Sequence, residues 1–217
     1  MDDLFTAAAA DGKMKPLAER MRPHSLKDFI GQKHLVSEGS LLSRAIMADK
    51  LGSCIFFGPP GTGKTTLATI IAETTHGAFA KMNAVSSGVA EAKKLIEEAR
   101  DRLKMYGRRT YLLLDECHRW NKAQSDCVLS AIEDGSIIFI GSTTENPYVS
   151  MTNAIVSRCR IFELKPLRDE EVREGLIRAI KDEKNGYGKM KLSVTEEALD
   201  HFVWAAGGDL RSAYGAL

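Results

Sequence analysis

Between residues 41 and 164, short apolar runs alternate with longer stretches in which apolar residues recur every three or four positions. The runs Cys54-Ile55-Phe56-Phe57, residues 78–82 (ending at Asn83), Tyr111-Leu112-Leu113-Leu114, residues 137–140 and Ile161-Phe162-Glu163-Leu164 read as five strands. The first, third and fourth are unbroken in their apolarity, which marks strands buried on both faces. Helical spacing appears in Leu41, Leu42, Ala45 and Ile46, in Leu67, Ile70, Ile71 and Thr74, and in Val89, Ala92, Leu95, Ile96, Ala99 and Leu103. A further helix over 122–134 is capped by Asn121 and stopped by Gly135. Strands alternating with helices in this way predict an α/β domain.

From Asp169 onward the pattern is helical only. Val172, Leu176, Ile177 and Ile180 form one stripe, Thr195 caps a second helix, and Gly207-Gly208-Asp209 starts a third that carries Arg211. A boundary near Pro166 therefore divides an α/β domain over 15–166 from a helical lid over 167–217. The helical pattern is still running at Leu217, so the natural protein is expected to continue. Residues 1–14 are small and polar and read as a flexible leader, with Leu4-Phe5 as a docking peptide in the alternative. Residues 15–33 read as an extended segment laid over the main fold, with an elbow at Arg22-Pro23 and Phe29-Ile30 burying apolar surface.

The candidate chemistry begins at Gly58-Pro59-Pro60-Gly61-Thr62-Gly63-Lys64-Thr65, with Thr66 completing the stretch. Gly, four residues, Gly, Lys and Thr is a phosphate loop, and here it sits between a strand and a helix as the motif requires. Glycines let backbone N–H groups turn inward on phosphates, and the helix N-terminus adds positive potential. Lys64 is then placed between the β- and γ-phosphates, and Thr65 offers its hydroxyl to Mg2+. About fifty residues on, the third strand closes with Asp115-Glu116. Asp115 is expected to hold the Mg2+ shell, and Glu116 to orient or deprotonate an attacking water. The fourth strand ends in Ser142-Thr143-Thr144-Glu145-Asn146-Pro147, placed either to bond a γ-phosphate or to form a plain turn.

Composition narrows the setting. Hydrophobic content of 44% and charged content of 27% are those of a globular domain, and no apolar run approaches the roughly 20 residues of a membrane span. Together with an acidic N-terminus unlike a signal peptide, this points to the cytoplasm. A net charge of only +1 gives no global basic field, so contact with nucleic acid has to be argued elsewhere. The Ser86-Ser87-Gly88 turn and Lys93-Lys94 are the local candidates, although the charged face of that helix reads most simply as solvated. Cys54, Cys117, Cys127 and Cys159 form no CxxC pair and read as reduced thiols. His24, His34, His76, His118 and His201 are scattered and read as surface or structural residues.

Longer strings carry a resemblance. Pro16-Leu17-Ala18-Glu19-Arg20-Met21-Arg22-Pro23, Phe29-Ile30-Gly31-Gln32-Lys33-His34-Leu35, Asp115-Glu116-Cys117-His118-Arg119-Trp120-Asn121-Lys122-Ala123-Gln124 and Thr143-Thr144-Glu145-Asn146-Pro147 resemble the RarA/MgsA family of AAA+ ATPases. These are relatives of the Werner-helicase-interacting protein, in the clamp-loader and Holliday-junction-motor branch. The resemblance implies a P-loop three-layer sandwich with a parallel five-stranded sheet in the order 5-1-4-3-2 and a helical lid. It implies that Arg158 is an arginine finger acting on a neighbouring subunit, Thr144 sensor 1, Arg211 sensor 2 and Asn83 a polar switch for Glu116. Arg22, Pro23, Ile30 and Gly31 match the segment that frames adenine. For Arg158 the plainer alternative is an arginine that caps the preceding helix.

By the same resemblance the expected function is a DNA-dependent ATPase of replication-fork maintenance, recombination and repair, using ATP and Mg2+. Its implied partners are forked, gapped or single-strand-containing DNA, single-strand-binding protein, and further copies of itself in a homo-oligomer, a tetramer in the family, with a nucleoid-associated location. The alternative is a clamp-loader-like module that binds ATP to assemble and hydrolyses it for release. A small-molecule phosphotransferase on the same loop would have no use for a finger or sensors.

Overall fold

The computed structural model describes residues 15–190 and 192–217, which form two compact units: His24–Lys165, and residues 15–23 with Pro166–Leu217. The proposed leader and its Leu4-Phe5 peptide lie outside the described residues.

The larger unit is built on five parallel strands: β1 (Cys54–Phe57), β2 (Ala78–Asn83), β3 (Thr110–Asp115), β4 (Ile137–Thr143) and β5 (Arg160–Glu163). Their order is β2-β3-β4-β1-β5, the order the resemblance implied read from the other edge. Side chains alternate across the pleat, and the two sets bury against different helices. On one face Ile55, Leu112, Leu114 and Phe139 pack with Ala92, Ile96, Val128 and Ala131. On the other, Cys54, Phe56, Leu113, Ile138 and Ile140 pack with Leu42, Ile46, Leu67, Ala68 and Ile71.

The covering helices, in chain order with those of the smaller unit, begin with α1 (Leu17–Arg20), α2 (Lys33–Val36), α3 (Leu41–Met47) and α4 (Lys64–Thr74). They continue with α5 (Val89–Tyr106), α6 (Lys122–Glu133), α7 (Pro147–Ser150) and α8 (Asn153–Val156). Asn121 and Gln124 close a reciprocal capping box at the start of α6, and Gly107, in left-handed conformation, ends α5. Parallel strands all present their carboxyl ends to one edge, so residues 58–63, Asn83, Asp115 and Thr143 lie along the same rim. The register sets Asn83 opposite Asp115 and Asp115 opposite Ser142.

The smaller unit holds α9 (Asp169–Lys181), α10 (Glu196–Ala206) and α11 (Leu210–Ala216), with α1 among them. Its core is Leu17, Leu167, Val172, Leu176, Ala179, Leu199, Val203, Ala206, Ala213 and Tyr214. The expectation of an extended segment over 15–33, laid over the main fold, is corrected for the stretch before His24, while Phe29 does pack against the α/β core. Pro16 opens a helical turn, and Leu17, Ala18 and Met21 fall on one apolar side that joins the helical core. Arg20 completes the attachment, its guanidinium lying over the Tyr187 ring at 5.3 Å.

Candidate nucleotide site

The loop of residues 58–63 owes its shape to glycines that no other residue replaces. Gly58 has φ +146°, and a Cβ there would stand 2.1 Å from the Leu164 carbonyl oxygen, so the chain passes β5 at a distance open to glycine alone. Gly63 has φ +97°, and its Cβ would meet the Phe29 ring at 2.6 Å. Phe29 therefore closes over the loop, a contact the spacing of residues did not reveal. The segment carrying Phe29, Ile30 and Gly31 is pinned by the buried Gln32. Its amide nitrogen donates to the Lys165 carbonyl at 2.6 Å, and its oxygen accepts the Lys165 N–H at 3.0 Å.

Lys64 opens α4, and its Nζ donates to the carbonyls of Gly58 and Pro59, 2.7 Å from each. Thr62 braces the same turn by donating to the Pro59 carbonyl at 2.9 Å. The Thr65 hydroxyl lies 3.4 Å from both carboxylate oxygens of Asp115, and the Ser142 hydroxyl donates to one of them. Two hydroxyls thus converge on one carboxylate at the end of β3. Hydroxyl and carboxylate oxygens are the donors a hard divalent cation takes, so this set fits Mg2+.

Glu116 follows with φ 56° and ψ 40°, a left-handed conformation that costs a non-glycine residue of order 1–3 kcal/mol. The turn breaks the strand's alternation and swings Glu116 out of the β3 register, leaving its side chain 39% exposed. It also opens the short turn Cys117–Arg119, which carries His118. His118 is only 6% exposed, and its Nδ1 lies 2.8 Å from the Thr143 hydroxyl and 3.6 Å from Glu116. Its Nε2 lies 3.5 Å from Glu145. Sequence reasoning set this histidine aside with the others; the only signal was its position two residues after Glu116. Burial, and then the neighbouring Cys159, push the Cys117 thiol up, so it packs beneath the site as a neutral group.

The remaining positions are distributed. Asn83 stands exposed at the end of β2, with its side-chain oxygen accepting the Val85 N–H at 2.9 Å. Thr144 is exposed one residue past β4, whereas Thr143 is buried. Arg158 is ion-paired with Glu133 at 2.5 Å and donates to the Ala154 carbonyl at 2.9 Å, so in the single chain it caps α8. Arg22 pairs with Glu19 at 2.5 Å and Pro23 follows it, while Arg211 lies exposed on α11, all three in the smaller unit.

Comparison with known proteins agrees with this architecture. Residues 21–156 match the Holliday junction DNA helicase RuvB P-loop domain family. Replication-associated recombination protein A of Bacillus subtilis is 47% identical over 204 residues, 94% of this chain and 47% of that protein. ATPase WRNIP1 of Dictyostelium discoideum is 41% identical over 202 residues, 93% of this chain and 23% of its own length. The solved Thermotoga maritima RuvB Holliday junction branch migration motor superposes with a TM-score of 0.71 at 28% identity, over 90% of this chain and 63% of that one. The chain spans about half the length of the Bacillus relative.

Proposed function

Because the chain belongs to the RuvB P-loop domain family of AAA+ ATPases, on the side of its replication-associated recombination protein A relatives, we propose that it hydrolyses ATP to act on DNA. The setting is replication-fork maintenance, recombination and repair. One observation carries the reading: Thr65 and Ser142 converge on Asp115 at the carboxyl edge of the sheet, beside the loop and one residue before Glu116. That is the arrangement nucleotide hydrolysis needs.

The residues divide the work. The backbone of residues 58–63, with Lys64, Thr65 and Thr66 at the start of α4, holds the phosphates. Thr65 and Asp115 would hold Mg2+, which would supply neutralisation of phosphate charge when bound. Glu116 orients or deprotonates the attacking water, with Asn83 as the polar switch that restrains it. Thr144 contacts the γ-phosphate side, Arg211 serves from the helical lid, and Arg22, Pro23, Ile30 and Gly31 frame the base. Arg158 acts on ATP bound by a neighbouring copy. A planar, permanently charged donor suits a transition state that spreads negative charge over the phosphoryl oxygens, and such fingers raise rates by roughly 10³ to 10⁵.

The test is steady-state ATP hydrolysis against protein concentration, with and without forked or gapped DNA, for this chain and for Arg158→Ala. Turnover that climbs with concentration, rises with DNA and disappears in the variant supports the reading. Tight ATP binding with equal, concentration-independent turnover in both proteins counts against it.

A second reading, a clamp-loader-like module that hydrolyses ATP mainly for release, draws on the Arg158–Glu133 ion pair. A finger already engaged within its own chain has to be freed before it serves a neighbour. Assembly driven by a nonhydrolysable ATP analogue, and reversed by hydrolysis, would favour this version.

A further inference from the structure

We propose that His118 is a positioning residue for Glu116, its ring held on Thr143 at the end of β4 with Nδ1–H on the side facing the Glu116 carboxylate; the inference rests on the ATPase reading of this site. The observation is a nearly buried imidazole with polar groups on both nitrogens. Nδ1 faces the Thr143 hydroxyl at 2.8 Å and the Glu116 carboxylate at 3.6 Å, and Nε2 faces the Glu145 carboxylate at 3.5 Å. A histidine kept only for packing would need one such partner. This one joins the residue after β3 to both the last residue of β4 and the loop beyond it.

The surroundings select the nitrogen that carries the proton. The Thr143 hydroxyl oxygen already accepts the Glu145 N–H at 3.0 Å, and its own hydrogen has the Glu145 carbonyl within 3.5 Å. Ionised carboxylates only accept. With the proton on Nδ1, the ring donates to Thr143 and attracts Glu116. With it on Nε2 alone, the Thr143 hydroxyl would turn from the Glu145 carbonyl to donate to Nδ1, and the ring would offer the Glu116 carboxylate no hydrogen. Glu145 is 56% exposed and has water to turn to. The Nδ1–H form therefore satisfies the buried side of the cluster.

A carboxylate attracted to a fixed ring in this way favours the orientation that faces it, whereas Glu116 on an exposed turn would otherwise rotate. The anchor acts on the chemical step and not on nucleotide binding, since none of these three contacts involves the phosphate loop. It also couples the end of β4 to Glu116, so displacement of Thr143 is transmitted to the carboxylate.

The test pairs ring spectroscopy with kinetics. Asparagine places its side-chain N–H where Nδ1–H stood, and glutamine places its own near Nε2. Long-range proton–nitrogen spectra of the wild-type chain should show a protonated Nδ1, and its resonance should shift in Glu116→Gln and in Thr143→Val. His118→Ala and His118→Gln should lower kcat about ten- to a hundredfold with KM within about twofold, while His118→Asn stays within about threefold of wild type. Affinity for a fluorescent ADP should not change in any His118 variant. An unprotonated Nδ1, ring signals indifferent to Glu116→Gln, or full kcat in His118→Ala would each overturn the proposal. Where turnover of the chain is too low to measure, the ring spectra decide alone. If Glu116→Gln hydrolyses ATP at the wild-type rate, it is the ATPase reading that fails.

Discussion

The Thr65 hydroxyl stands 3.4 Å from each carboxylate oxygen of Asp115, joining the first turn of α4 to the end of β3 across the strand between them. Neither group needs the other for folding at a partly exposed rim. Their pairing makes sense as half of a cation's coordination sphere. Thr65→Val should therefore weaken binding of Mg2+–ADP by about ten- to a hundredfold, by analogy with the loss of a metal's supporting partners. Binding in EDTA should be unchanged. Titration of a fluorescent ADP with and without Mg2+ separates the two, and an equal loss under both conditions would refute the cation role.

Gly58 gives a prediction about stability. Alanine there combines a left-handed φ with a Cβ 2.1 Å from a backbone oxygen of Leu164. The clash is with the chain segment after β5, which cannot swing away as a side-chain tip can. Gly58→Ala should cost about 2–4 kcal/mol, in the range of strain at special backbone positions. Thermal denaturation should show the midpoint falling by about 4–15 °C. A midpoint within a degree of wild type would mean that the loop relaxes freely.

The amide clamp of Gln32 allows a subtler experiment. Gln32→Ala breaks two hydrogen bonds to the Lys165 backbone and leaves that backbone to seek water, at about 1–3 kcal/mol. The effect should be local. Hydrogen exchange in residues 29–31 and 165 should accelerate while the centre of β3 keeps its protection. Uniform acceleration throughout the sheet would show that the clamp supports the whole unit.

Glu116→Gln should keep ATP affinity and lose turnover by about 10²–10⁴, the usual contribution of a positioned base. Affinity by fluorescent nucleotide and hydrolysis by phosphate release are measured on the same sample. Undiminished hydrolysis would remove Glu116 from the mechanism.

The thiols offer a check that needs no nucleotide. Burial pushes the Cys159 thiol up to about 12, and pushes Cys54 and Cys117 up further still. At pH 8 all three are protonated and poorly nucleophilic, because the thiolate is the reactive form. Iodoacetamide followed by mass mapping should modify the partly exposed Cys127 first. Early labelling of Cys117 would mean that the floor of the site opens readily.

Much of the larger unit was legible because its three central strands, β1, β3 and β4, are buried on both faces. Tyr111-Leu112-Leu113-Leu114 has no polar position to confuse with a helix, and β4 announces itself in the same way, whereas β5 shows only Ile161 and Phe162 between Arg160 and Glu163. The order of the strands was not in the periodicity. It came with the family resemblance, which the relatives and the sheet both bear out. What escaped depends on contacts between residues distant in sequence or on single backbone angles. Gln32 reaches Lys165, Arg158 reaches Glu133, and His118 reaches Thr143 only because Glu116 adopts a positive φ. Helix α1 was missed because four residues are too few to establish a period, and its partners begin well over a hundred positions later.

The left-handed backbone at Glu116 has an evolutionary side. Asparagine tolerates that conformation better than glutamate does, and glycine adopts it without strain. Selection for a sturdier protein alone would drift away from glutamate at this position. On the proposed role of Glu116 in hydrolysis, selection for a working one has to hold it there against that drift. Destabilised active positions are where gains in robustness and gains in catalysis part company. Sturdier variants recovered from an unselected library should therefore be enriched in inactive ones at residue 116.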